Sequence, residues 1–211
     1  MKHLMIKNKA VFFDFDGVIH NTFQFHLNGI RNYFNVDLSA ENYRAMHDGN
    51  FYNAVAPKGL EHADWPAYTK SIHDEFSAFA ANSDEKKYLH DLSKESKLFL
   101  VTSGSRFPVE GYLKANHILE CFTDARYFED GLSKTDKFKD LFAEYSVLPE
   151  NAVFVTDTVG DVREAHEVGL RSIAVTFGYH DRARLEAVEP FRIADSWKEV
   201  ADAIDDAFSA A

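Results

Sequence analysis

Val11-Phe12-Phe13 reads as a buried strand, yet it runs directly into Asp14 and then, one residue further, Asp16. Burying one carboxylate is costly, and a second at i+2 adds repulsion. Other apolar runs of the chain end in related chemistry. One closes in Thr102-Ser103-Gly104-Ser105, and another in Thr156-Asp157, with Asp161 four residues on. Lys134 lies in Gly131-Leu132-Ser133-Lys134, read as the loop before a helix. Carboxylates gathered in this way become tolerable around a hard cation, and oxygen ligands at strand ends suit Mg²⁺ better than zinc. Such a cation and Lys134 would hold a phosphate, with the Thr102 hydroxyl and the Ser103-Gly104 amides on its oxygens. Asp14 would face phosphorus as a nucleophile. Asp16 would give a proton to the leaving oxygen and later take one from water.

Taken singly, each signal is weak. A lone D-x-D is commonly a turn or cap, Asp157 and Asp161 fit the acidic first turn of a helix, and Lys137 or Lys139 could stand in for Lys134. Their joint occurrence, each at a strand end or in a loop, is far more specific.

The elements that must position these residues follow from periodicity. Four short apolar runs, 10–13, 98–102, 152–156 and 172–176, show little alternation and read as buried parallel strands. Helical patterns cover 108–115, 136–145, 159–168, 182–188 and 197–208, with Ser196 as the N-cap of the last. Strand–helix alternation argues for an open α/β sheet, whose crevice lies at the carboxyl ends of the strands. The stretch 22–92 has no convincing strand and several amphipathic segments, so it reads as a helical insert. Its aromatic stripes are read as core packing. Asn82-Ser83-Asp84 marks a turn or N-cap near the return to the core.

Composition bounds the rest. The chain of 211 residues is 45% hydrophobic and 27% charged, which suits a globular α/β domain with a modest insert. A net charge of −11 leaves no basic footprint for nucleic acid. Cys121 is the sole cysteine, which excludes a disulfide framework and a CxxC metal pair. No apolar run could span a bilayer. Lys2, Lys7 and Lys9 precede a stretch broken by Asp14, which reads as a strand rather than a signal peptide. The expectation is a cytoplasmic protein that binds neither nucleic acid nor membrane.

The motifs in this order resemble the haloacid dehalogenase-like hydrolase superfamily. "DFDGV" resembles its first motif, "FLVTSGS" the second, "GLSKTDKF" the third and "FVTDTVGDVREAHEVG" the fourth. "VTFGYHDRARLEAVEP" is similar to the segment that follows in phosphoglycolate phosphatase-like members. The resemblance implies Asp14 as nucleophile and Asp16 as acid/base. It implies Thr102, Ser103 and Lys134 as phosphate contacts, and Asp14, Asp16, Asp157 and Asp161 at Mg²⁺, Asp16 through its carbonyl. The implied fold is a doubly wound, Rossmann-like core over 1–20 and 93–211 with an all-helical cap at 21–92. Three positions depart from the pattern. Thr156 stands where Gly is common and Thr135 where Pro is usual, both expected to change backbone detail only. Asn21 replaces an Asp at the hinge into the cap.

The implied activity is hydrolysis of a small phosphorylated metabolite through an aspartyl-phosphate. An acid at Asp16 favours phosphoryl transfer over dehalogenation. A β-phosphoglucomutase-type sugar-phosphate mutase is the alternative, since "DGVIHNTFQFH" with His26 resembles the start of that subgroup. A non-catalytic phosphate-binding module on the same fold is the other. Arg31, Arg44 and Lys58 are candidates for clamping a second anionic group. Among ten histidines, none shows metal-ligand spacing, and His20 and His47 stand nearest the catalytic loops, with no catalytic role expected.

Overall fold

The computed structural model describes residues 9–209, so Lys2, Lys7 and the first eight residues of the expected core segment lie outside the described residues. Its centre is a sheet of six strands, all parallel: β1 (Ala10–Phe13), β2 (Lys97–Val101), β3 (Asp124–Arg126), β4 (Ala152–Thr156), β5 (Arg171–Val175) and β6 (Arg192–Ala194). The spatial order is β3-β2-β1-β4-β5-β6. The chain builds outward from β1 through β2 to β3, then returns to β1 and builds the other half. β1 is therefore central, and its junction with β4 is the point at which the winding reverses.

Strand β1 shows why the residues choose this element. Ala10, Val11, Phe12 and Phe13 are all fully buried. Side chains alternate across a strand, so Val11 and Phe13 enter one core while Ala10 and Phe12 enter the other. The second core takes Phe138 and Leu141 from helix α7 (Lys134–Tyr145) and Ala165 from α8 (Val159–Glu167). The first core takes Tyr112 and Leu113 from α6 (Arg106–Ala115), and Val200 and Ile204 from α10 (Trp197–Ser209). Phe12 alone touches Phe99, Phe138 and Phe142, with ring centroids 4.9, 5.7 and 5.6 Å away. Helix α9 (Arg182–Glu186) covers the β5 side through Leu185.

Between β1 and β2 the regular elements are helical: α1 (Phe23–Phe34), α2 (Ala40–Ala45), α3 (Trp65–Ser71), α4 (His73–Ser77) and α5 (Ser83–Leu92), with one 3₁₀ turn at Phe51–Asn53. Their apolar faces, including Phe23, Leu27, Tyr43, Tyr68 and Phe76, join the first core continuously. Asn82 caps α5, its side chain accepting from the Asp84 amide at 2.8 Å. Ser196 caps α10 in the same way, accepting from Glu199 at 3.3 Å.

The strands expected at 98–102 and 172–176 each begin and end one residue earlier. Strands β3 and β6 escape sequence reading because each has only three residues, with Asp124 and Arg126, or Arg192, breaking any apolar run. They are edge strands, where charge blunts further pairing. Lys134 is the first residue of α7 rather than part of the loop before it, because Ser133 is the N-cap. No described helix is long and apolar enough to cross a membrane.

Glu85 on α5 is buried, and its Oε1 has no hydrogen-bond partner. Burial pushes its carboxyl from the ordinary 4.5 up to about 8. Between those values the folded protein binds a proton that the unfolded chain has released, so stability falls as pH rises through that window. Glu85→Gln should flatten the decline in unfolding free energy between pH 4.5 and 8, a slope of at most ~1.4 kcal/mol per pH unit. Urea titrations across that range check it, and unchanged slopes would show that Glu85 ionises normally.

Candidate active site

Asp14 directly follows β1 and continues its pairing, its amide donating to the Val155 carbonyl at 2.9 Å. Asp157 directly follows β4. The two acids are thus carried to one edge of the sheet by neighbouring strands. Asp161 lies in the first turn of α8, capped by Thr158, whose side chain accepts from the Asp161 amide at 3.3 Å. Lys134, from the start of α7, places Nζ 2.8 Å from Asp14 Oδ2 and 2.7 Å from Asp161 Oδ2. Carboxylate oxygens of Asp14, Asp157 and Asp161 lie within 4.8 Å of one another.

The electrostatics follow from burial. Asp14 is pushed well above the usual carboxylate range by burial and by the neighbouring Asp161 and Asp157, against the pull of Lys134. Burial likewise carries Asp157 up to about 8. Asp161 is also desolvated, but Lys134 and hydrogen bonds from its neighbours hold it below its ordinary value. Lys134 is desolvated too, yet the two carboxylates raise it above the usual lysine range. Asp157 Oδ2 accepts from the Tyr179 amide at 2.6 Å, while its buried Oδ1 has no partner. Gly17, at φ +77°, lies so close that a Cβ there would stand 1.8 Å from Asp157 Oδ2. A cluster of hard oxygens, one of them orphaned, with Lys134 the sole ammonium paired with them among the described residues, fits a divalent cation.

Asp16 is held differently. Its Oδ1 accepts from Thr22 Oγ1 at 2.6 Å and lies 3.4 Å from His26 Nε2. Burial alone would raise its pKa, but the His26 and Thr22 contacts outweigh it and lower the value. His26 Nδ1 is 3.1 Å from the Tyr68 hydroxyl. That pairing suits the tautomer in which Tyr68 donates to Nδ1 and Nε2–H faces Asp16. Thr22 Oγ1 also lies 3.0 Å from Tyr179 Oη.

Of the residues selected from sequence, Asp14, Asp16, Ser103, Lys134 and Asp161 line one pocket of about 130 Å³. Asp157 and Thr102 are fully buried and do not line it. The Thr102 hydroxyl oxygen already accepts from the Gly104 amide at 2.9 Å, and its carbonyl accepts from Lys137 Nζ at 2.8 Å. Lys137 therefore shapes the loop, and Lys139 is a surface residue paired with Asp136. Thr156 does more than alter the backbone, since its hydroxyl donates to Asp161 Oδ2 at 2.6 Å. Asn21 is exposed and donates to the Phe177 carbonyl, outside the pocket lining. Thr22, His26 and Tyr179 carry no role in the sequence reading, although all three sit in segments singled out for resemblance. His20 packs on Tyr112, with ring centroids 4.6 Å apart.

The loop after α2 closes the pocket from above. The Gly160 amide donates to the His47 carbonyl at 3.0 Å, Arg163 to the Asp48 carbonyl at 2.6 Å, and Asn50 Nδ2 to the Leu132 carbonyl at 2.8 Å. Tyr52 Oη donates to the Ser103 carbonyl at 2.7 Å.

Residues 11–175 match the haloacid dehalogenase-like hydrolase family, and the chain belongs to it. Over 98 residues it is 32% identical to a phosphoglycolate phosphatase of Synechococcus elongatus, a match covering 46% of this chain and 46% of that protein. The chain thus spans about half the length of this curated relative. The fold is shared with CbbY from Rhodobacter sphaeroides, solved with xylulose-(1,5)bisphosphate, at TM-score 0.76 and 22% identity over 90% of this chain and 95% of that one. A hydrolase from Pseudomonas syringae aligns at TM-score 0.74 and 14% identity over 94% and 98% of the two chains.

A Cβ on Gly160 would stand 2.3 Å from the Gly49 carbonyl oxygen and 2.9 Å from that of His47, so the loop must shift. Gly160→Ala improves helix propensity by ~1 kcal/mol yet should undock residues 47–52. Hydrogen exchange of those amides should speed up by about tenfold or more. Unchanged exchange would show that the loop tolerates the methyl group.

Proposed function

We propose that this chain is a Mg²⁺-dependent phosphatase that hydrolyses a small phosphomonoester through an aspartyl-phosphate on Asp14. The observation that carries the reading is Lys134 paired with Asp14 and Asp161 at the end of the central strand, with Asp16 two residues beyond Asp14 and an Asp157 oxygen orphaned in the same cluster. Asp14, Asp157 and Asp161, with the Asp16 carbonyl, would hold the cation. When bound, it supplies positive charge that offsets the carboxylates and the charge of the phosphoryl group.

The residues divide the reaction. Lys134 and the amides of the Ser103-Gly104 turn orient the phosphate. An Asp14 oxygen attacks phosphorus as the bond to the leaving alcohol oxygen breaks. Asp16 passes that oxygen a proton through Oδ2, which carries no hydrogen bond among the described residues, while Thr22 and His26 fix Oδ1. Water then attacks the acyl-phosphate, Asp16 takes its proton, and the phosphorus–oxygen bond to Asp14 breaks. Helices α1 to α5, residues 21–92, act as a cap that excludes bulk water and meets the leaving group.

The two aspartates should fail differently. Asp14→Asn should give no covalent intermediate. Asp16→Asn should lose ~10²–10⁴ in turnover with alkyl phosphates. With p-nitrophenyl phosphate, whose leaving group needs no proton, Asp16→Asn should show a burst of p-nitrophenol and then slow turnover. Near-normal turnover by Asp14→Asn would overturn the aspartyl-phosphate mechanism. A sugar-phosphate mutase would instead convert a hexose 1-phosphate, given its bisphosphate, to the 6-phosphate with little free phosphate.

Mg²⁺ should raise the thermal midpoint of the substrate-free protein, because binding to the folded state alone stabilises it. Asp157→Asn should abolish most of that shift, and EDTA should remove activity. An equal shift in Asp157→Asn would place the metal elsewhere.

A further inference from the structure

We infer that the pocket selects phosphomonoesters whose alcohol part is uncharged and rejects those carrying a second anionic group. This rests on the phosphatase reading above and narrows its substrate class.

The inference starts from charge. Among the described residues lining the pocket, Lys134 is the only lysine or arginine, and it is already shared by Asp14 and Asp161. The three cap cations that could have clamped a second anion are placed elsewhere. Arg31 Nε donates to the Leu38 carbonyl at 2.7 Å, and Arg44 Nε to the Tyr179 carbonyl at 2.9 Å with its guanidinium over the Phe23 ring. Lys58 is exposed, and none of the three lines the pocket. A lining carboxylate, Glu164, accepts from Asn50 Nδ2 and from the Lys134 amide. A second carboxylate or phosphate on the substrate would thus be desolvated with no cation to meet it.

What the cap does offer is an apolar, ring-shaped wall with sparse polar groups. Phe51, Trp65, Ile72 and Phe76 supply the surface, and Tyr52 and Tyr68 add hydroxyls. Both hydroxyls are engaged within the protein, with Ser103 and with His26. His47 lines the same pocket, but its Nε2 is shielded from solvent without a partner. Burial and the nearby His180 lower its pKa to about 3, so it stays neutral and is no anion clamp.

With Mg²⁺ present, kcat/KM for a hexose monophosphate should exceed that for phosphoglycolate and for a hexose bisphosphate by about tenfold or more. Equal or higher values for either doubly anionic ester would overturn the inference. Thr69→Arg, which adds a cation to the wall, should move the phosphoglycolate to hexose phosphate ratio upward by a similar factor. Each comparison is a ratio within one protein, so partial loss of folded material cancels. Calorimetric titration of Asp14→Asn with the same esters separates the two readings. If no ester releases phosphate but the neutral-alcohol esters still bind more tightly, the phosphatase reading fails and the selectivity stands. If phosphate is released but the doubly anionic esters bind as tightly or better, the selectivity fails and the phosphatase reading stands.

Discussion

The architecture of the site depends on one buried ion cluster, Lys134 between Asp14 and Asp161. The lysine is 2% exposed, so neither it nor its partners can turn to water. Removing one member of such a cluster strands a buried charge, a penalty of roughly 3–5 kcal/mol. The cluster therefore pins the first residue of α7 and the first turn of α8 to the end of β1. Other polar contacts are built around it. Thr156 and Thr158 orient Asp161, Lys137 secures the Thr102 carbonyl, and Glu164 receives the Lys134 amide.

One lysine cannot balance Asp14, Asp16, Asp157 and Asp161, and that imbalance shapes the site. Added to burial, it raises the pKa of Asp157, one of whose oxygens has no partner. It also explains why Asp16 is kept apart, hydrogen-bonded by Thr22 and His26 rather than by the lysine. Two carboxylates separated by one residue in sequence thereby acquire opposite properties. One is driven up by burial among acids, and the other is held down by donors from the first helix after the strand. To act as a nucleophile Asp14 must be ionised, and the charge of a bound cation would lower its pKa into that form.

The helices between β1 and β2 are joined to the sheet by both kinds of force. Their apolar faces share the first core, and the loop at 47–52 makes polar contacts with several core segments. Tyr179 ties these helices to the sheet, its amide on Asp157 and its hydroxyl 3.0 Å from Thr22. The helical wall of the pocket is thus positioned by the same residues that hold the carboxylates.

The sequence alone determined the alternation of elements, the four long inner strands and the seven residues at the sheet edge. Each of these is written locally. A buried parallel strand must be a short apolar run, and carboxylates placed at its end carry a cost that only a cation or a proton can offset. Strands β3 and β6 were not legible, because three residues interrupted by charge carry no periodic signal and form only where a neighbour offers an edge. His26 could be read as a resemblance, but its contact with Asp16 could not. Nor could the fate of Arg31 and Arg44, whose guanidinium groups are spent on backbone carbonyls. These outcomes were decided by tertiary structure, since Arg44 and Tyr179, or Thr22 and Tyr179, meet across separations of 135 and 157 residues. Local sequence fixes which groups carry charge and where strands end. Only the packing of distant segments decides which charges are neutralised, which oxygens are left without partners, and so what the pocket can bind.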